Sequence, residues 1–435
     1  MVLVYTHKVT NRIKFIFHLL FKEMLNTEVQ ITSNEADFFA YEAIKFNYSK
    51  HQLGDELFFC SDNLLFERGI RHIDMNVVEF ENLPALFPVY NKDSAFPFDP
   101  FAASFYLVSR YEEYLPYRKD EYGRFPANES IAFQKGFLQK PLVNIWALKI
   151  AEKISQKFSA FTHKPNKYRY LPTIDIDAAW AYRQKGLFRT VGGFAGALFR
   201  QDFEDIKLRM KVLTKMKEDP FDIYGYLFEI QKRYKLSPIY FILFAEYGFN
   251  DKNITVTNRN FQTLVKSIAD YAEVGIHPSY NSNDYPKKLK KEISRLSKVL
   301  NREITKSRQH FLKIQLPTTY RNLINLDILD DYSMGFAAQP GFRASICSPF
   351  NFYDLDLDFE TKLRIHPFSI MDGTLRDYLN LGTEEALEQI SQLIDEVKAV
   401  KGTFISLWHN ESLGETKRWT GWRGVYEEMT RKALP

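Results

Sequence analysis

The feature that most constrains this chain is an alternation of strand and helix patterns from about residue 166 to residue 435. Short apolar runs typical of buried strands are followed by stretches with helical periodicity. The predicted strands are Tyr168–Asp177, Ile239–Ala245, Glu273–Ile276 and Thr403–Trp408, and the predicted helices are Pro220–Tyr234, Phe261–Tyr271, Asp284–Leu300 and Thr383–Val400. Repeated β-then-α units favour a parallel sheet with helices outside it. We therefore expect an α/β fold here, as a closed or nearly closed barrel.

Two further regions are expected before residue 166. Residues 1–95 read as a small α/β accessory domain, and residues 96–165 as an aromatic-rich helical connector. The strand candidates are Val2–Tyr5, Glu28–Thr32 and Glu56–Cys60, and the helix candidates are Asn11–Leu25, Ala102–Tyr114 and Leu142–Phe158. Neither region contains a motif that points to a particular chemistry.

The distribution of charge and apolar residues excludes several classes of protein. The net charge is +4, and the densest basic stretch, Lys287–Lys291, lies on a predicted amphipathic helix, so no nucleic-acid partner is expected. The apolar run Phe15–Phe21 is far shorter than the ~20 residues of a membrane-spanning helix. With no recognisable signal peptide and only two cysteines, a cytoplasmic location is expected.

Two carboxylates mark the end of the first predicted barrel strand. Asp175 and Asp177 are two residues apart in the sequence, so on a strand both side chains point to the same side. Both would converge at the strand's carboxyl end. Such a pair suits a metal ion held by one carboxylate, with the other free to act as a base.

Other reactive side chains follow predicted strand ends as well. These are His277, Arg308, His310 and His409. In α/β barrels the carboxyl ends of the strands form the active-site face, so these side chains are expected at one rim. Four of the residues at strand ends also have a structural alternative: Asp175 as a helix cap, His277 as a turn residue, His310 as an internal strand histidine, and His409 as a hydrogen-bond partner of Glu411.

The same residues resemble those of a known family. Thr173–Asp177, His277, Arg308 and His409 occur in the order seen in the polysaccharide deacetylase superfamily, the NodB homology domain, and the resemblance covers about residues 166–435. Longer strings resemble a divergent branch with an extra N-terminal region; they are Arg308–Leu312, Asp331–Gly335, Gly341–Ala344 and Trp408–Glu411. The resemblance implies a distorted, incomplete (β/α) barrel and a divalent metal, usually zinc.

The resemblance also implies roles for individual residues. Asp175 resembles the general base, and Arg308 the arginine that orients it. Asp177 and His277 resemble metal ligands, and His409 resembles the general acid.

One position departs from the family pattern. A second metal histidine usually stands four residues after the first, where this chain has Asn281, a poor zinc ligand. We expect His310 to complete the metal site instead.

The predicted function is metal-dependent removal of an N-acyl group, most simply acetyl, from a carbohydrate or sugar precursor. Arg343, Trp408 and Tyr280 are candidate substrate-binding residues, although Arg343 could equally form an ordinary ion pair and the two aromatic residues could equally be core. Two alternatives remain open: a catalytically silent protein of the same fold that binds a glycan or a protein, and a metal-dependent amidase acting on a non-sugar amide.

Overall fold

The computed structural model describes residues 1–164 and 166–435. Its N-terminal part contains a parallel sheet of four strands in the order β2-β1-β3-β4, and a separate hairpin of β5 and β6. The strands are β1 Val2–Tyr5, β2 Val29–Thr32, β3 Lys45–Ser49, β4 Leu57–Cys60, β5 Val77–Phe80 and β6 Leu83–Leu86. The sequence predicted β1, β2 and β4, and it missed β3 and the hairpin.

Helices pack on this sheet and connect it to the rest of the chain. They are α1 Asn11–Phe17, which continues as a π-helix over His18–Met24, α2 Glu35–Ala40, α3 Pro100–Val108, α4 Ile131–Gln134 and α5 Leu142–Lys157. Asp99 caps α3, since its side chain accepts hydrogen bonds from the backbone N–H groups of Phe101 and Ala102. The helix predicted over Ala102–Tyr114 therefore starts earlier, and it ends at Val108.

The C-terminal part is built on one sheet of nine strands, in the order β12-β13-β11-β10-β9-β8-β7-β15-β14. They are β7 Arg169–Ile176, β8 Ile239–Ile242, β9 Glu273–Ile276, β10 Lys306–Ser307, β11 Asp330–Asp331, β12 Phe350–Asp354, β13 Phe359–Ile365, β14 Ile370–Met371 and β15 Thr403–His409. All neighbours are parallel except β12 and β13.

Helices between these strands supply the crossovers that parallel pairing requires. They are α6 Leu187–Phe199, α7 Phe203–Leu213, α8 Tyr224–Tyr234, α9 Arg259–Tyr271, α10 Pro286–Leu300, α11 Thr318–Ile324 and α12 Thr383–Ala399. A last helix, α13 Trp422–Ala433, follows β15. The mixed α/β class is therefore confirmed. In the described residues the strand pairing runs from β12 to β14 without joining these two ends, so the incomplete barrel stays a prediction.

The N-terminal and C-terminal parts share one apolar core. The ring of Tyr353 on β12 lies 4.9 Å from that of Phe15 and 5.1 Å from that of Phe105, measured between centroids. Asn144 on α5 accepts a hydrogen bond from the backbone N–H of Cys347. The region predicted as a connector therefore packs against the large sheet, while the predicted boundaries at residues 95 and 165 stay predictions.

Candidate metal and hydrolytic site

Strand register brings the predicted site residues to one edge of the large sheet. Asp175 on β7 pairs directly with His409 on β15. Ile276 on β9 pairs with Ser307 on β10, and His277 and Arg308 follow immediately. Because these neighbouring strands are parallel, their carboxyl ends meet at the same edge. The sequence prediction that these side chains share one rim is therefore met by the register.

Three of these side chains form a compact group. Nε2 of His277 lies 3.3 Å from Oδ1 of Asp177, and Nε2 of His310 lies 3.6 Å from Oδ2 of the same carboxylate. One ligand atom from each of the three residues lies within 4.8 Å of the others. Asp177, His277 and His310 are thus close enough to bind one ion together.

Hydrogen bonds on the far side of each ring fix its orientation. Nδ1 of His277 lies 2.6 Å from the backbone carbonyl oxygen of Arg308, and Nδ1 of His310 lies 2.9 Å from Oδ1 of Asp251. Each Nδ1 is thereby assigned a proton, so in the neutral imidazole Nε2 is the nitrogen that can coordinate a metal beside Asp177. Metal-binding histidines in proteins are oriented by contacts of this kind.

The chemistry of this donor set fits a divalent metal. Two imidazole nitrogens and one carboxylate oxygen make a ligand set found in catalytic zinc sites, with a further coordination position left for water or substrate. Asp177 Oδ1 is buried and has no hydrogen-bond partner among residues 1–164 and 166–435. Coordination of a cation would compensate the desolvation of that oxygen.

The charged groups of this cluster shift one another's pKa values. Burial disfavours the charged form of Asp177, but His310 and His277 outweigh this effect and hold the pKa of the carboxyl well below its usual value. Burial also lowers the pKa of His310, yet Asp177 and Asp251 raise it to about 9. His310 must lose that proton to coordinate a metal, so metal affinity should rise with pH.

Arg308 forms a hydrogen bond with Asp175, the other carboxylate at the end of β7. Its Nη1 donates hydrogen bonds to Oδ1 of Asp175 at 2.9 Å and to Oγ1 of Thr173 at 2.6 Å. Its Nε donates to the backbone carbonyl of Tyr332, and the guanidinium lies over the ring of Phe241. Asp175 is therefore held in a buried charged pair, which excludes the alternative that it caps a helix.

His409 is oriented by a carboxylate that the sequence analysis did not identify. Its Nδ1 lies 2.7 Å from Oδ1 of Asp372, and its backbone N–H donates to Oδ2 of Asp372 at 2.7 Å. The Ser412 hydroxyl also donates to Oδ2 of Asp372. Burial by itself lowers the pKa of His409, but Asp372, Asp177 and Asp175 raise it well above the usual value. These carboxylates therefore favour the protonated form of the ring.

These groups line one cavity of about 210 Å³. Part of the cavity wall is apolar and is formed by Phe311, Leu312, Met371 and Leu407. The polar part is formed by the side chains of Asp175, Asp177, His277, His310 and His409. Arg124 reaches the same cavity from the N-terminal part of the chain, where Asp120 holds its Nε. Its Nη1 donates to the backbone carbonyl of Phe311 at 2.8 Å. The N-terminal part therefore contributes directly to the wall of the site.

The three candidate substrate-binding residues do not face this cavity. Arg343 is buried and donates two hydrogen bonds to the carboxylate of Glu113, at 2.9 and 2.6 Å. Trp408 is buried against Trp422 and Tyr426, because alternate residues of β15 point to opposite faces. The Tyr280 hydroxyl donates to the backbone carbonyl of Tyr122. Arg343 and Trp408 therefore take the alternative roles named for them, an ion pair and a core position, and Tyr280 is not among the residues lining the cavity.

Asn281, where the resemblance to deacetylases would place a second metal histidine, is exposed on a short 3-10 helix and is not among the lining residues. His310 comes instead from a 3-10 turn after β10, in which Phe311 and Leu312 have positive φ values of 59° and 54°.

Three residues of the site had no clear sequence signal. Asp251 lies in the loop after β8, Asp372 follows the short strand β14, and Arg124 lies far upstream. Asp372 could have been found as a polar residue at a strand end, had the two-residue strand β14 been recognised. Asp251 and Arg124 reach the site through loop conformations, which no periodicity in the sequence reports.

Comparisons with known proteins give limited information. A family model described as a family of unknown function, DUF7033, matches residues 2–159. No curated protein matches the chain. In the described residues, no helix combines the length and apolar character that crossing a bilayer requires.

Several solved structures are similar to part of this chain. One described as a polysaccharide deacetylase from Mycobacterium smegmatis has 15% identity and a TM-score of 0.40, over 62% of this chain and 86% of that one. A CE4-family pseudoenzyme from Bacillus anthracis has 12% identity and a TM-score of 0.29, over 61% and 63%. A polysaccharide deacetylase from Bacillus cereus has 10% identity and a TM-score of 0.28, over 61% and 88%. Similarity at this level carries no argument about the activity of this chain.

Proposed function

We propose that this protein is a metal-dependent hydrolase that removes an N-acyl group from a carbohydrate. The observation that carries the proposal is the group of Asp177, His277 and His310, whose ligand atoms lie within 4.8 Å of one another beside a cavity. The carbohydrate class of substrate comes from the motif order that resembles polysaccharide deacetylases. Zinc suits the two imidazoles and one carboxylate best.

Asp177, His277 and His310 would hold the metal. When bound, a divalent cation would polarise the acyl carbonyl and make the attacking water more acidic. The ring orientations fixed by Asp251 and by the backbone carbonyl of Arg308 would keep both Nε2 atoms ready for this role. A preformed site of this kind avoids the cost of reorganising the ligands.

Asp175 is suited to act as the general base. Arg308 holds Oδ1, and Oδ2 lies 3.8 Å from Nε2 of His277, on the side of the metal group. A water between this carboxylate and the substrate would transfer a proton to Asp175 as its oxygen attacks the carbonyl carbon. Base catalysis by a positioned carboxylate contributes roughly 10²–10⁴-fold to the rate.

His409 is suited to act as the general acid. Its Nε2 lies 3.9 Å from Oδ2 of Asp177, while Nδ1 is bonded to Asp372. The C–N bond of the amide breaks as Nε2 of the imidazolium gives its proton to the departing nitrogen. One amide and one water thereby yield a carboxylic acid and an amine, and the proton gained by Asp175 replaces, through solvent, the one that His409 has given. Asp175 and His409 lie on neighbouring strands, so base and acid flank the same space.

The test is acyl release from an N-acetylglucosamine oligomer by zinc-loaded protein. We expect acetate release that Asp175→Asn reduces by at least about 10²-fold, because the general base is removed. Asp270→Asn, which changes an exposed carboxylate on α9, is the matched control and should leave the rate unchanged. Bound zinc without acyl release from any sugar would overturn the carbohydrate proposal, and release from non-sugar amides alone would favour an amidase.

A further inference from the structure

The helix α6 presents an apolar face to solvent instead of to the core. Among its 13 residues only Ala197 is buried. The side chains of Phe188 and Phe199 are 93% and 91% exposed. The other large apolar residues exposed on the same helix are Leu187, Val191 and Leu198. With ~3.6 residues per turn these positions fall within about a third of the helix circumference, so they lie on one side of the helix, which is the reverse of the usual arrangement in a globular protein.

Neighbouring segments extend this apolar surface. On α7, Phe203, Met210 and Leu213 are exposed, and Met216 follows the helix. The guanidinium of Arg209 on α7 lies against Gly193 of α6, so the two helices contact each other there. The loop after β8 adds exposed Tyr247 and Phe249. Large contiguous apolar surfaces of this kind mark interaction sites.

The helical hairpin formed by α6, α7 and the residues up to 217 carries an excess of positive charge. Residues 187–217 contain seven Lys and Arg but three Asp and Glu, whereas the whole chain has 58 and 54. Lys207, Lys211, Lys215 and Lys217 are all exposed. Exposed Phe and Leu accompanied by lysines are typical of segments that lie in the interface of an anionic membrane.

The hairpin is held firmly next to the cavity described above. Lys417, eight residues after His409, donates hydrogen bonds to Asp202 and Asp205 at 2.9 and 3.2 Å. Arg189 donates to the backbone carbonyls of Lys252 and Asn253, in the loop that also carries Asp251. The hairpin is therefore fixed to loops at the carboxyl edge of the sheet, the edge where the cavity lies.

We propose that the hairpin of α6 and α7 binds the surface of an anionic lipid bilayer. A bilayer fits these observations better than a second copy of the chain. The exposed Phe side chains of α6 would enter the apolar layer, and the exposed lysines on and after α7 would contact the anionic headgroups above it. Bound in this way, the protein would work on substrate held close to the membrane. Membrane binding does not depend on the proposed hydrolytic activity and is measured separately from it.

The test is co-sedimentation of the full chain with vesicles. We expect binding to vesicles of phosphatidylcholine containing phosphatidylglycerol, and much weaker binding to phosphatidylcholine alone or at high salt. The double variant Phe188→Ser, Phe199→Ser should weaken binding by about tenfold for each Phe. Tyr90→Ser is the matched control, because Tyr90 is 89% exposed and lies outside the hairpin.

A second variant tests the electrostatic part independently. Lys207→Gln with Lys211→Gln should weaken binding to anionic vesicles by about fivefold for each lysine, with no change in thermal unfolding. Failure of the intact chain to bind anionic vesicles would overturn the proposal. So would a dimer in solution that the double Phe variant converts to a monomer, since the surface would then be an interface between two copies.

Discussion

Oδ1 of Asp251 lies 2.9 Å from Nδ1 of His310, and this contact turns Nε2 of His310 towards Asp177. Asp251 also accepts a hydrogen bond from the backbone N–H of Tyr280, which fixes the carboxylate in turn. A residue in the loop after β8 thus orients a histidine beyond β10. His310 is therefore turned towards Asp177, whereas Asn281, where the resemblance to deacetylases would place a second metal histidine, is exposed.

The first prediction concerns which residue completes the metal site. His310→Ala should reduce bound zinc from about one equivalent to close to none, because two ligands hold zinc weakly. Asn281→Ala should retain the full amount, since this side chain is exposed. Metal content of protein purified with zinc, measured by mass spectrometry, checks both variants. Equal zinc in the two variants would contradict the assignment.

The second prediction concerns the orienting carboxylate. Asp251→Asn should weaken zinc binding by about 10–100-fold, the usual effect of losing a hydrogen-bond partner of a metal-binding histidine. The negative charge that helps to orient the ring would be gone, although the side chain keeps its size. Competition with a zinc chelator gives the affinity, and Asp270→Asn is the control. An unchanged affinity would show that His310 is oriented by other contacts.

The third prediction concerns pH. A general acid must be protonated, so the rate should fall as the pH rises through the pKa of His409. Asp372 raises that pKa, so Asp372→Asn should move the alkaline limb to lower pH. A charge-assisted hydrogen bond of about 1.5–3 kcal/mol corresponds to a shift of at least about one pH unit.

The control for this pH profile is Asp377→Asn. Asp377 also lines the cavity, but it pairs with Arg418. The alkaline limb of the pH–rate profile should therefore not move in Asp377→Asn. An alkaline limb that does not move in Asp372→Asn would count against His409 as the acid.

The fourth prediction concerns the contribution of the N-terminal part. Arg124→Ala should raise KM for the sugar oligomer several-fold and leave zinc content unchanged, because Arg124 lines the cavity and supports the backbone of Phe311. Arg118→Ala changes an exposed arginine of the same loop and should behave like the unaltered protein. Steady-state kinetics separates KM from kcat. A loss of zinc in Arg124→Ala would place its effect on the metal group instead.

The fifth prediction concerns Arg343. Burial raises the pKa of Glu113, but Arg343 and Arg110 outweigh this and hold it below its usual value, so the pair is charged. Arg343→Ala would leave a buried carboxylate short of a partner and should destabilise the protein by about 3–5 kcal/mol. Denaturant unfolding measures the loss. Arg431→Ala, which breaks an exposed pair with Glu428, should cost at most about 1 kcal/mol.

Much of the secondary structure was predictable from the sequence. The strand Glu273–Ile276 was predicted at the residues where it lies, and the helix over Thr383–Val400 ends one residue earlier than predicted. Both have a clear hydrophobic pattern of their own. The two-residue strands β11 and β14 were missed, and β10 was expected only as a strand end before Arg308, because a pattern of two residues has no detectable period.

The sequence by itself determined the α/β class of the C-terminal part and the placing of Asp175, His277 and His409 at strand ends, since both depend on local periodicity. The tertiary structure decided which residues complete the site. Asp251, Asp372 and Arg124 come from separate loops, and their contacts depend on how distant segments pack. The same packing buried Arg343 and Trp408, because the face on which a side chain lies depends on what covers it.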